Sequence, residues 1–129
     1  MSDVGNGDFL IVPDTSVIID GRITEKLKNG EYKGASLIIP EALVSELEAQ
    51  ANRGKETGFK GLEELKELIE MAKKGEIKIR FSGKRPTLEQ VKMASGGEID
   101  AMIRTVALDN NAFFITSDRV QSEVARAKG

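Results

Sequence analysis

The sequence predicts an α/β fold: a central parallel sheet of four to five strands with helices on both faces. Two observations carry that expectation. Short, continuous apolar runs, which are the mark of strands buried on both sides, recur along the chain. Between them lie segments whose apolar residues repeat at helical spacing, so strands and helices alternate. No internal repeat and no low-complexity tract interrupts the alternation.

Residues 1–8 are expected to be a flexible lead-in, and 9–129 a single domain. Phe9-Leu10-Ile11-Val12, closed by Pro13, is the first buried strand. A helix over about 16–28 follows, capped by Ser16 or Thr15 and ended near Asn29-Gly30. Ala35-Ser36-Leu37-Ile38-Ile39, closed by Pro40, is the second buried strand. The next helix starts near Glu41, with Leu43, Leu47 and Ala51 on one face. Residues 52–58 read as a loop or break before a helix carrying Leu62, Leu65, Leu68, Ile69 and Ala72. Lys73-Lys74-Gly75 ends it, basic residues at the negative end of the dipole and then glycine.

Glu76-Ile77-Lys78-Ile79-Arg80-Phe81 alternates polar with apolar, which predicts a strand near a sheet edge. A short helix over 87–93, a hinge at Ser95-Gly96-Gly97 and a helix over about 98–109 come next. Ala112-Phe113-Phe114-Ile115-Thr116 is a fourth buried strand, and 119–127 a final helix. The chain ends at Ala127-Lys128-Gly129, where a fifth strand is expected to begin, so a longer parent chain is expected.

Composition removes several classes. The 129 residues include no cysteine, hence no disulfide, thiol nucleophile or zinc–thiolate site, and no histidine, hence no Ser-His-Asp triad and no neutral-pH imidazole base. No apolar run approaches the roughly 20 residues of a membrane span. The polar start MSDVGNGD is no signal peptide, which leaves the cytoplasm as the default location. At a net charge of −2, nucleic-acid binding needs a local basic patch or a cation that turns acidic residues into a phosphate site.

Acids gather where such a sheet binds ligands. Asp14 directly follows the first strand and Asp118 the fourth, at the carboxyl ends where open parallel sheets bind their ligands. Around its helix, Glu46 lies at about −60° from Leu43 and Leu47 at about +40°, so Glu46 borders the apolar face, while Glu48, at about +140°, points away. A carboxylate there is costly unless paired or metal-bound. Glu98 and Asp100 flank the apolar face of Ile99, Met102, Ile103 and Val106 on opposite edges, and spacing alone does not choose between them. Each acid alone has an ordinary role: a cap or turn at Asp14 and Asp118, a first-turn acid at Glu98, an Asp100–Arg104 pair. Together they repel one another unless a divalent cation sits among them, and oxygen-only donors point to Mg²⁺ or Mn²⁺.

At these residues the chain resembles the PIN domain family. Val12-Pro13-Asp14-Thr15-Ser16-Val17-Ile18-Ile19-Asp20-Gly21-Arg22 looks like the family's opening. The resemblance continues through Ile39 to Leu47, Asp100 to Ala107 and Phe114 to Arg119. It implies a Rossmann-like three-layer fold and a metal-dependent endoribonuclease acting on single-stranded RNA. Asp14, Glu46, Asp100 and Asp118 match the family's acidic quartet and would be the catalytic and metal-binding residues. The hydroxyl of Ser16 or Thr15 would support Asp14 or the metal. Asp20 belongs to an Asp-Gly-Arg variant of one branch. That branch includes long, mainly archaeal chains in which the domain precedes an ATPase and an RNA-binding module. No P-loop motif occurs in this chain.

Backbone contacts to RNA are expected from Arg22, Arg53, Lys55, Lys60 and Arg119, while Lys73, Lys74, Lys78, Arg80, Lys84 and Arg85 read as ordinary surface. With no Trp and one Tyr, platforms for base stacking look poor. The resemblance also implies a homodimer, since dimerisation through exposed helical faces is common in the family; the segment 57–74 is a candidate contributor, but its apolar stripe serves equally as core. Two other readings compete with the nuclease. One is a non-catalytic regulatory or assembly module that retains the acidic pocket. The other is a phospho-acceptor receiver, which needs an acidic pair near strand one and a lysine after the last strand; neither is placed correctly.

Overall fold

The computed structural model describes residues 9–94 and 96–117. The strands are β1 (Phe9–Pro13), β2 (Ala35–Pro40), β3 (Lys78–Ser82) and β4 (Phe113–Ile115). The helices are α1 (Thr15–Asp20), α2 (Ile23–Lys28), α3 (Glu41–Asn52), α4 (Glu56–Lys73), α5 (Leu88–Met93) and α6 (Gly96–Asp109). All pairings are parallel, in the order β3-β2-β1-β4. The chain steps from β1 outward to β2 and β3, then returns on the other side of β1. The crevice between the carboxyl ends of β1 and β4 is therefore the switch point where such sheets bind ligands.

Burial agrees with the apolar runs. Successive residues Leu37, Ile38 and Ile39 are all buried although neighbours in a strand face opposite ways, so both faces of β2 are covered. Leu43 and Leu47 from α3, Leu65 and Leu68 from α4, and Ile99 and Ile103 from α6 complete one core. The stripe along α4 is spent against α3: a Cβ on Gly58 would lie 2.3 Å from the Ala51 backbone nitrogen, so only glycine lets the helices approach this closely. That stripe is core, not a ready dimer face.

Several elements differ from expectation. The single helix expected over 16–28 is two, because Gly21 (φ 78°) turns left-handed and donates its N–H to the Ile18 carbonyl, ending α1. Neither Ser16 nor Thr15 caps it. Asp14 stands at the N-cap, where its carbonyl accepts from the Val17 N–H but its side chain makes no capping bond, and both hydroxyls point to carboxylates instead. The break expected at 52–58 shrinks to Arg53–Lys55, since Thr57 and Gly58 already belong to α4. β3 lies at the sheet edge as its alternation predicts. β4 is not a buried strand: among the described residues it is the opposite edge, with Phe113 64% exposed. The lead-in 1–8, the hinge residue Ser95 and the helix expected over 119–127 lie outside the described residues.

Candidate active site

Asp14 is the centre of the site. It follows β1, and its backbone N–H donates to the Ile115 carbonyl (2.8 Å), which extends the β1–β4 pairing to the floor of the crevice. Its side chain is only 2% exposed. Oδ2 accepts from Ser16 Oγ (2.9 Å) and from Thr116 Oγ1 (2.6 Å), one hydroxyl from each strand's carboxyl end. The Ser117 N–H in turn reaches Ser16 Oγ at 3.4 Å. These bonds orient the carboxylate without neutralising it. Among the described residues no lysine or arginine is ion-paired to Asp14.

Glu46 comes from the second turn of α3, which begins directly after β2, with Pro40 at its N-cap. It is half-buried, as its position on the border of the apolar face predicts. Thr15 Oγ1 donates to its Oε1 (2.9 Å), so consecutive hydroxyl residues serve two carboxylates. Burial raises the Glu46 pKa above its usual value, the Thr15 hydrogen bond opposes the rise, and the negative charges of Asp100 and Asp14 add to it. Arg53, exposed at the end of α3, is close enough to pull it down.

That electrostatic coupling brings together Asp14, Glu46 and Asp100, three members of the predicted quartet, from β1, α3 and α6. It also separates the two acids that spacing left undecided: Asp100 is half-buried and acts on Glu46, whereas Glu98 is exposed and borders a different hollow with Pro86, Gln90 and Met93. Asp118 and Arg119 lie outside the described residues. Asp20 stands apart from these acids. It is exposed and holds Arg22 (Nε–Oδ2 2.6 Å), and that bond draws its pKa below the usual range. Lys55 is exposed at the N-cap of α4, and Lys60 approaches the Asp20–Gly21 turn. Thr116 was not expected in the site. Its signal was available, since a hydroxyl one residue beyond β4 must face whatever stands one residue beyond β1.

The set can recruit a cation, although among the described residues no three acidic side chains are close enough to grip one ion together. The donors are all oxygens, the charges of Asp100 and Asp14 add to the rise of the Glu46 pKa, and a hard cation that keeps part of its water shell suits such a set.

Comparisons with known proteins agree with this architecture. The PIN domain profile matches residues 11–127. An uncharacterized KH and PIN-domain containing protein of Methanocaldococcus jannaschii is 55% identical over 116 residues, which are 90% of this chain and 18% of that protein. The chain thus spans under one fifth of that relative's length. A solved domain of a functionally unknown protein from Methanocaldococcus jannaschii superposes with a TM-score of 0.88 at 53% identity, covering 94% of this chain and 86% of that one. PIN domains are generally nucleases that use divalent metal ions. With a profile match over nearly its whole length and an acidic crevice at the sheet's switch point, this chain belongs to the PIN domain family.

Proposed function

We propose that this chain is a metal-dependent endoribonuclease that hydrolyses single-stranded RNA with Mg²⁺ or Mn²⁺. The observation that carries the reading is the buried Asp14 carboxylate, fixed by two hydroxyls beside a Glu46 whose pKa is raised by burial and further by the charges of Asp100 and Asp14. Asp14, Glu46 and Asp100 would hold the ion, with Asp118 as the fourth acid. When bound, a divalent ion supplies positive charge for the phosphate oxygens and makes the attacking water more acidic.

The protein's own groups do the rest. Ser16 and Thr116 keep Asp14 aimed, so no reorganisation is needed when substrate arrives. Glu46, whose pKa burial raises, takes the proton of the attacking water, a task left to a carboxylate by the lack of histidine. The water oxygen bonds phosphorus, the P–O3′ bond breaks, the departing O3′ takes a proton from solvent water, and the products are a 5′-phosphate and a 3′-hydroxyl. Arg53 and Lys55 meet the RNA backbone beyond the acids. The KH domain in the relative's name supports a setting in which a neighbouring module captures RNA, since KH domains clamp short single-stranded stretches. The attached ATPase rests on the resemblance alone.

A regulatory module that retains the pocket is the second reading. The net charge of −2 keeps it open, since a domain with a broad phosphate-binding footprint is usually basic. Cleavage of a labelled single-stranded RNA in EDTA, Mg²⁺ and Mn²⁺, by the wild type and by Asp14→Asn, decides. Metal-dependent cleavage that Asp14→Asn abolishes establishes the nuclease. A folded wild type that binds Mn²⁺ without cutting establishes the module.

A further inference from the structure

Beside the acidic crevice, on the far side of Thr116, lies a hollow of about 110 Å³. It is bordered by Asp20, Arg22 and Lys26 from the α1–α2 corner, by Tyr32 and by Thr116 and Ser117. Thr116 is shared: it binds Asp14 and lines this hollow. Whatever occupies the hollow is therefore the immediate neighbour of whatever sits at Asp14.

The chemistry of its walls is specific. Asp20 grips one edge of the Arg22 guanidinium through Nε (2.6 Å) and Nη2 (3.3 Å), and so fixes the plane of a side chain that is otherwise 68% exposed. Two of its five N–H donors are used, which leaves three in a fixed fork, the arrangement that suits phosphate oxygens. Lys26 and Lys60 add positive charge around the same Asp20.

Tyr32 is the second, independent observation. It is half-buried and borders both this hollow and a larger one along β4. Its backbone sits at φ 58°, in the left-handed region that a bulky side chain rarely adopts. Gly30 and Gly34 close by take such angles without cost. A tyrosine held there is strain retained at one position of a turn where glycine is otherwise used, which points to a task for the ring. An aromatic face next to a fixed guanidinium and a lysine is how proteins hold unpaired nucleotides: the base stacks and the phosphate pairs.

We propose that Arg22, Lys26 and Tyr32 form a subsite for the nucleotide adjoining the scissile phosphate, with its phosphate on Arg22 and Lys26 and its base on Tyr32. The proposal rests on the ribonuclease reading for its ligand class. Asp20 is a positioning residue, and the Asp-Gly-Arg turn is the device that aims the arginine: Gly21 lets the chain reverse between the two side chains that pair.

The chain has one tyrosine and no tryptophan, so its intrinsic emission reports Tyr32 alone. The Asp14→Asn chain, with Mg²⁺ present, is titrated with an unlabelled eight-nucleotide oligouridine while tyrosine emission is followed, corrected for absorption. Expected is quenching that saturates; in a parallel titration read by the anisotropy of a labelled copy of the oligomer, Tyr32→Leu binds about tenfold more weakly and Tyr32→Phe keeps the affinity within about twofold. Arg22→Ala weakens binding and makes the salt slope shallower by about one. Emission that stays level while a labelled copy of the oligomer shows saturation overturns the subsite, as does no binding at all, or Tyr32→Leu binding like its parent with an unchanged circular dichroism spectrum. If Tyr32→Leu does not fold, the emission and Arg22→Ala carry the decision. The parent reading fails separately. Quenching without cleavage by the wild type removes the nuclease and keeps the subsite, whereas cleavage whose KM is unmoved by Arg22→Ala and Tyr32→Leu removes the subsite and keeps the nuclease.

Discussion

Two glutamates sit on the paired helices α3 and α4, and each receives a threonine hydroxyl from the segment between β1 and β2. Thr15 donates to Glu46 and Thr24 to Glu64. Their surroundings differ. Glu64, 7% exposed, accepts with one oxygen from both the Thr24 N–H (3.0 Å) and the Thr24 hydroxyl (3.1 Å), and so caps the start of α2 from a neighbouring helix. Glu46 has one hydroxyl donor, and its pKa is raised first by burial and then by the charges of Asp100 and Asp14. Burial alone therefore does not mark a functional acid. Glu64 is the more buried of the two, yet its partners are fixed donors that tie α2 to α4. Glu46 keeps company with like charges that only a cation relieves.

The contrast is tested most strongly by activity. Glu46→Gln is expected to lower RNA cleavage by about a hundredfold while the chain stays folded, as losing an acid of a metal shell does. Glu64→Gln is expected to leave cleavage within about twofold at a temperature where it is folded. Equal losses in the two folded variants would erase the distinction. The next effect lies in stability. Glu64→Ala strands the buried Thr24 N–H and is expected to cost about 2–3 kcal/mol, read as a lower urea midpoint at unchanged m. A change below about 0.5 kcal/mol would mean that water replaces the carboxylate and that the helix tie is weak.

How much of this was legible in the sequence differs between the two glutamates. Glu46 was found because it follows an apolar strand that ends in proline, so its turn of helix is fixed in space before any packing is known. Glu64 carried a comparable signal, one turn before Leu68 and three residues after Gly61 on the packed face of α4, but no strand end anchors that helix to a site. The split of 16–28 was hidden because Ile19, Ile23 and Leu27 repeat every four residues across Gly21, and only the left-handed angle there reveals the corner. The order β3-β2-β1-β4 depends on the return past β1, which local pattern does not encode. The choice of Asp100 over Glu98 needed the placement of α6 against the sheet. Phe113 read as core because a continuous apolar run looks the same at an edge as in the middle of a sheet.

A smaller effect is a gain. At neutral pH without metal, the charged form of Glu46 is held in a site that favours its protonated form. A raised carboxyl pKa means that the folded state binds more protons than the unfolded one, so its contribution is greatest below the ordinary value of 4.5 and is lost as pH rises through the raised value. In EDTA, Glu46→Gln should therefore raise the Tm at pH 7 and flatten the fall in Tm above pH 4.5. An unchanged pH profile would show that the three carboxylates are already relieved by solvent.

The finest distinction is between the two threonines. Thr24→Val leaves Glu64 its backbone donor, so the loss is that of one neutral-donor bond, about 1 kcal/mol. Thr15→Val removes the one hydrogen bond that holds the Glu46 pKa down, so that pKa climbs further. In EDTA its cost should be greater at pH 8 than at pH 5, where more of Glu46 is protonated, by a few tenths of a kcal/mol. Melting curves of both variants at the two pH values measure this directly. A pH-dependent difference in Thr15→Val alone assigns the titration to the acidic crevice, and the same dependence in both variants would place it elsewhere in the fold.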